Sequence, residues 1–389
     1  MDLRPAQDAD VVAINRLHRD VWWPERSIEG WSWVQGQPGR RGLDNPWGWV
    51  LVDAGDRPIG FVGNLIQTLC IGQSTEPVAT GFSIIVTPEA RGSARRLIRA
   101  VLKQPGLVAA YTLNANRLSA GLYGRHGLRP WPDPGHDVKL LWDIDRSALL
   151  AGRTWRWAVG RWPQAGLHRT ERLMNRRVGQ TATLRLPAGI EAVTDLGDHS
   201  DYQAFWEMLR DQGAPVVDRS AAVMRWRHAD PDRTLPPVTL GARRDGALVA
   251  VIQAQVNKGR SIEPPILDIL DLSVLAGHAE AARELVQCLI RNGSAMGVAR
   301  VRMPVVGPAL LRMLGPLAQV ARRETGWSHG HAWFRDPELA TTWSPTPFDG
   351  DYALCLRPVP MLKRRVEDRQ TMQLPPVGRP DLNRTAVAQ

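Results

Sequence analysis

Apolar residues in the first 145 positions switch between a helical spacing of three to four and a strand spacing of two. Val11, Ile14, Leu17 and Val21 share one face of a helix that opens at Asp8 or Asp10, behind a short strand at Leu3–Ala6. The apolar run Trp47–Asp53 ends in the turn Ala54-Gly55-Asp56 and is followed by Pro58–Leu69, a hairpin pattern. Thr80–Val86 is a further strand, stopped at Thr87-Pro88. A helix over Ser93–Gln104 buries Ala94, Leu97, Ile98 and Val101 and leaves its arginines elsewhere. Val108–Leu113 is a strand, Asn116–His126 a helix closed by Gly127, and Val138–Trp142 the last strand of this set.

From Gly189 the same order returns. Ile190–Val193, Val238–Ala242, Ala247–Gln255, Pro265–Leu275 and Ala299–Met303 read as strands; Asp201–Arg210, His278–Ile290 and Pro308–Leu314 read as helices; Tyr352–Arg357 reads as a final strand. Repetition of one element order predicts a duplicated α/β unit. The expected division is 1–146 for the first unit, 147–187 for an Arg/Trp-rich connector, 188–364 for the second unit and 365–389 for a polar, proline-containing tail without a core of its own.

Composition narrows the class. The chain has 389 residues, 43% hydrophobic and 23% charged, the balance of a globular protein with more than one domain. Cys70, Cys288 and Cys355 are far apart and match neither a disulfide framework nor a zinc site. Met1-Asp2 does not open a secretory leader, and no run approaches the roughly 20 apolar residues of a membrane span, so a reducing, cytoplasmic setting is expected. The net charge of +10 is uneven: Arg153 to Arg185 is arginine-rich, with Glu171 its one counter-charge, and includes Trp155, Trp157 and Trp162. That stretch reads first as an amphipathic linker packed between two units with solvated arginines, and otherwise as contact with an anionic membrane surface or polyanion.

Chemistry concentrates where a strand runs into a helix at Val86-Thr87-Pro88-Glu89-Ala90-Arg91-Gly92-Ser93-Ala94. Helix N-termini present unpaired N–H groups and partial positive charge, so such a junction suits an anion. At the next strand–helix junction stands Asn116-x-x-Ser119-x-x-Leu122-Tyr123-x-x-x-Gly127-Leu128. Together these stretches resemble the two signature motifs of the GNAT superfamily of N-acetyltransferases, V-x-P-x-x-R-G-x-G and N-x-x-[AS]-x-x-L-Y-x-x-x-G-[FL]. Leu3-Arg4-Pro5-Ala6-x-x-x-Asp10 is also a common opening of these proteins, and the resemblance spans residues 1–145.

The resemblance implies two consecutive GNAT-like acyl-CoA N-acyltransferase units, each a mixed, mostly antiparallel sheet flanked by helices. It implies acetyl-CoA or another acyl-CoA as co-substrate, an amine-bearing acceptor and no metal. Backbone groups of Ile84 and Val86 would pair with the pantetheine arm. Amides of Arg91, Gly92, Ser93, Ala94, Arg95 and Arg96 would cradle the diphosphate. Asn116 would touch the pantetheine or cap its helix, and Tyr123 would protonate the departing thiolate, for which a phenol that keeps its proton is suited. The loop carries Ala94 and Arg96 where the family has small residues, so Arg96 either crowds the phosphates or binds them as a cation.

No acid stands on Thr80–Val86, which leaves Glu76 and Asp44 as candidates for the base that takes the amine proton. In the second unit Ala276-Gly277-His278-Ala279-Glu280 replaces the phosphate loop, with an acid near the expected anion, so this copy is expected to be degenerate for CoA. Asp349 and Asp351 either face an amine or form a turn. His329 and His331 share a strand face but have no evident third metal ligand. The alternative to acyl transfer is a non-catalytic binding protein of the same fold, docking through the basic connector; nucleic acid has no motif behind it.

Overall fold

A computed structural model describes residues 1–21, 23–115, 117–161, 184–233, 235–258, 263–326 and 329–355. Most of the expected connector, with Trp162, and the whole tail lie outside these residues. The first half runs β1 (Asp2–Pro5), α1 (Val11–Asp20), α2 (Ile28–Gln35), β2 (Gly48–Val52), β3 (Pro58–Ile71), β4 (Ser74–Val86), α3 (Ala94–Leu102), β5 (Ala109–Ala115), α4 (Arg117–Arg125), β6 (Arg129–Pro130), β7 (Val138–Asp143) and α5 (Arg146–Arg161). The second half runs β8 (Ile190–Ala192), α6 (Asp201–Asp211), β9 (Val216–Val217), α7 (Ala221–His228), β10 (Val238–Arg244), β11 (Ala247–Asn257), β12 (Ile266–Val274), α8 (Ala279–Asn292), β13 (Arg300–Met303), α9 (Pro308–Leu314), β14 (Arg322–Thr325) and β15 (His329–Phe334).

Local chemistry starts these helices. Ser27 accepts from Gly30 N to cap α2, and Ser200 and Ser220 cap α6 and α7 in the same way through Gln203 N and Val223 N. Arg4 bridges Asp10 at 2.7 Å and ties β1 to the start of α1. The buried stripe of α3, Leu97, Ile98 and Val101, seats it on the sheet; each such side chain contributes about 1.5–3 kcal/mol through burial.

The strands form two mixed sheets. The first has the order β1-β2-β3-β4-β5-β15-β6, with β9 added to the end of β3; the second has the order β14-β7-β13-β12-β11-β10-β8. In each sheet one pair is parallel, β4 with β5 and β12 with β13, and the rest are antiparallel. This is the expected fold class, with one correction. Val138–Trp142 does form a strand, but β7 inserts between β13 and β14 of the second sheet. In exchange β15, from the far end of the chain, fills the place between β5 and β6. The first sheet therefore includes two strands from beyond the expected boundary at residue 146, β15 and the short β9, and the second includes one from before it, β7. The other correction is at Tyr352–Arg357, where the described part is a short 3-10 turn, Asp351–Ala353.

The largest apolar cluster joins Leu69, Val78 and Tyr111 of the first sheet to Leu267 and Val301 of the second and to Leu285 of α8. Polar contacts reinforce the joint. Trp33 and Trp226 stack with centroids 4.5 Å apart, and each indole N–H donates to the other's carbonyl. The buried Arg26 pairs with Asp230 at 2.9 Å across the same interface.

Candidate active site

The parallel contact between β4 and β5 is short. Val78, Ala79 and Thr80 face Ala109, Ala110 and Tyr111, and past this point the strands part. Two bulges bend them away from each other. On β4 the register slips opposite Val62, where Ser83 takes a left-handed φ of 52°. On β5 it slips opposite Gly330, so that Leu113 and Asn114 together face one residue of β15. A bulge adds a residue, increases twist and re-aims side chains. Thr112 and Ala115 turn toward α3 and α4, whereas Leu113 and Asn114 turn toward the opposite face.

On the α3 side the gap ends in the loop before α3. Arg91 is exposed, and Gly92 takes φ 61° in open space, where a Cβ would meet nothing within 4 Å. Ser93 N donates to Ala90 O and Arg96 N to Ser93 O. The amides of Ala94 and Arg95 lie in the first helical turn, where no intrahelical carbonyl reaches them. Arg95 is exposed. Arg96 does not crowd this space: its Nη1 donates to Met1 O at 2.6 Å, on the side of the edge strand β1. Ile84 and Val86 have half-buried side chains against α3, and strand pairing on the β5 side of β4 stops at Thr80.

Tyr123 projects from α4 into the gap. A small cavity beside it is lined by Gly81, Ile84, Ile98, Tyr111, Tyr123 and Leu128. The phenol is buried, shares a hydrogen bond with the Thr112 side chain and stacks on His331 at 6.3 Å. Burial pushes its pKa up; the Thr112 bond offsets part of this, and the Asp351 charge adds to it. The group holds its proton throughout the neutral range. Asn116 lies outside the described residues.

The opposite face carries a strap, residues 343–355, that crosses from the second sheet to the first. Arg227 Nη2 donates to Phe348 O and to Gln67 Oε1, both at 2.9 Å, with its guanidinium 3.8 Å from the Phe348 ring centre. Tyr111 Oη donates to Asp349 O at 2.7 Å. Gly350 passes so close to Leu113 that a Cβ would sit 3.1 Å from Cδ1. The strap then presents Asp351, whose carboxylate accepts from Asn114 Nδ2 at 2.6 and 2.8 Å and from Cys355 Sγ at 3.2 Å.

The other candidate acids are not brought to the gap. Glu76 lies before the paired stretch of β4 while the gap opens after it, and Asp44 is exposed in the loop before β2. The two aspartates of the strap divide their roles. Asp349 is fully buried and takes an Arg219 hydrogen bond at 2.8 Å, as a turn residue would; Asp351 stands by the gap. Thr112 and Asn114 went unsingled in the sequence because simple alternation places both on one face. The signal that separates them is Gly330 on the paired strand, where a Cβ would fall 1.9 Å from Trp131 O. His331 packs on Tyr123; of His329 only the backbone is described.

No family model matches the sequence, and no curated protein matches it. Solved structures do. A GCN5-related N-acetyltransferase from Anabaena variabilis superposes with TM-score 0.50 at 16% identity, covering 86% of this chain and 73% of that one. One from Kribbella flavida gives 0.50 at 14% identity over 87% and 73%. The N-myristoyltransferase of Saccharomyces cerevisiae, solved with bound myristoyl-CoA, gives 0.50 at 12% identity over 86% and 80%. At such identities the likeness establishes the fold: the chain has the GNAT fold.

Proposed function

We propose that this chain transfers an acyl group, most simply acetyl, from acyl-CoA to a primary amine by direct attack within a ternary complex. The observation that carries the reading is the parting of β4 and β5 after three residue pairs, beside an open Arg-Gly loop at the head of a helix. A pantetheine arm entering the gap adds to the free edge of β4 at Ile84 and Val86 as a further strand would. The diphosphate meets the amides of Gly92, Ala94 and Arg95 and the charges of Arg91 and Arg95, a site suited to anions by geometry and helix dipole. Arg96, with its side chain turned to Met1 and its amide on Ser93 O, is not among the phosphate-binding groups.

The amine nitrogen attacks the thioester carbonyl, the C–S bond breaks, and Tyr123 gives its proton to the sulfur. Holding both reactants in register supplies most of the acceleration, because a thioester is already activated and no covalent enzyme intermediate is needed. The apolar cavity beside Tyr123 supports seating of the acyl group near the scissile bond.

Calorimetry with acetyl-CoA and a longer acyl-CoA tests the reading. The wild type is expected to bind at least one of them, and Arg91→Glu to weaken that binding by about tenfold or more, since it places a carboxylate beside the diphosphate. An absence of binding by the wild type discards the proposal.

A further inference from the structure

We infer that Asp351 is the general base of this site, taking the proton from the attacking amine across the gap from Tyr123. The inference rests on the acyl-transfer reading and adds a residue to it. Three observations place the group. The 3-10 turn that carries it packs on both β4 and β5, the strands that part. The β5 bulge aims Asn114 at both carboxylate oxygens, which fixes the plane of the carboxylate. Tyr123 and Thr112 lie on the α3/α4 side, whereas the strap lies on the α1/α2 side, where Leu354 joins the α1/α2 core and its carbonyl accepts from Arg26. A thioester in the gap therefore has a phenol on one side and a carboxylate on the other.

Asp351 faces groups from both sides of the gap. Asn114 comes from β5, Cys355 from the strap itself and Tyr123 from across the gap. Asp349, two residues earlier, is bound to Arg219. The stretch of β4 from Val78 to Val86 has no titratable side chain. As the C–N bond forms, the amine nitrogen loses a proton to Asp351 while the sulfur gains one from Tyr123. The proton returns from carboxyl to phenolate through solvent, so the cycle closes with amide and free CoA and needs no other reactant.

The test is Asp351→Asn, which keeps the shape of the side chain. Acyl-CoA binding is read by calorimetry, and CoA release is followed with a thiol reagent against primary amines of graded basicity. Binding is expected to stay within about twofold of the wild type, while turnover at pH 7 falls by about 10²–10⁴. The deficit should shrink for weakly basic amines and at pH values near the amine's own pKa, a recovery that a merely structural role would not give. A variant that binds acyl-CoA and matches wild-type turnover within about threefold overturns the assignment and leaves acyl transfer standing. Should the substitution unfold the chain, Asn114→Leu misaims the carboxylate without removing it and should lower kcat with little change in acyl-CoA affinity; unchanged kcat there sinks the proposal. A wild type that binds acyl-CoA but acylates none of the amines removes base and transfer reading together.

Discussion

The two sheets open in the same way and are used differently. In the first, β4 and β5 part after Thr80, leaving six residues of β4 to its end at Val86; in the second, β12 and β13 part after Asp268, leaving six residues to Val274. Beyond the first parting point lie an exposed Arg-Gly loop, a phenol and an apolar cavity. Beyond the second, Asp271 is held by Arg219 at 2.8 and 3.0 Å, and Arg219 also donates to Asp349 and Thr346 of the strap. Asp271 stands three residues past its last pair, as Ser83 does in β4. One copy of the gap is the proposed acyl-CoA site. The other has a buried ion network on β12 that also anchors the segment carrying Asp351. The second unit acts on the first by holding the strap in place.

The largest effect is expected where that network is broken. Arg219→Met leaves Asp271 and Asp349 buried without their counter-charge, a loss of about 3–5 kcal/mol. Burial already pushes the Asp349 carboxyl up, and Arg219 is the partner that pulls it back. Denaturant unfolding measures the loss, and calorimetry should detect no new acyl-CoA site in the opened gap. A loss under about 1 kcal/mol would mean that the network does not hold the strap.

A smaller effect separates the units in acid. Each has an imidazole withdrawn from solvent, His18 buried on α1 and His228 half-buried on α7, and desolvation lowers both to about 4, with Arg26 and Arg233 adding to the shift. An unfolded histidine titrates near 6.5. Between those values the unfolded chain binds a proton that the folded one does not, so stability is intact above pH 6.5 and falls as pH drops toward 4. The cost at His18 is about 3 kcal/mol. His18→Phe, in a site already made of Trp23, Trp31 and Phe61, should flatten unfolding free energy between pH 7.5 and 4.5. Parallel loss in wild type and variant would remove His18 as the cause and shift attention to the second unit.

These contrasts also mark what the sequence makes legible. Periodicity locates β2, β3, β12, α6 and α9 to within a residue or two, because each is a sustained apolar pattern with a clear stop. The same signal says nothing about which sheet a strand joins. Leu140, Leu141 and Trp142 are buried on both faces of β7, and such a strand suits the middle of either sheet. The exchange of β7 for β15 is decided by long-range closure. Helix α2 escapes notice because Gly30, Trp31 and Trp33 blur its apolar stripe, although Ser27 is a readable cap. Tyr123 and the Arg91–Ala94 loop are visible as motif; the pairing of Tyr123 with Asp351 depends on two bulges that alternation conceals.

The smallest effect sharpens the comparison most directly. The loops before α3 and α8 each turn on a left-handed glycine, Gly92 at φ 61° and Gly277 at φ 86°, and at both a Cβ would meet nothing within 4 Å. With no clash at either position, alanine costs the left-handed backbone alone, about 1 kcal/mol in each unit. Thermal melts of Gly92→Ala and Gly277→Ala should therefore show similar losses. On the acyl-transfer proposal acyl-CoA affinity should not: the amides of Ala94 and Arg95 after Gly92 would face the diphosphate and relaxing that turn would swing them away, whereas the loop at Gly277 leads to Glu280, whose charge would disfavour an anion. A several-fold weaker acyl-CoA isotherm is expected for Gly92→Ala and an unchanged one for Gly277→Ala. Equal weakening by both would show that the second loop also holds a phosphate, and the division of labour between the two gaps would fail.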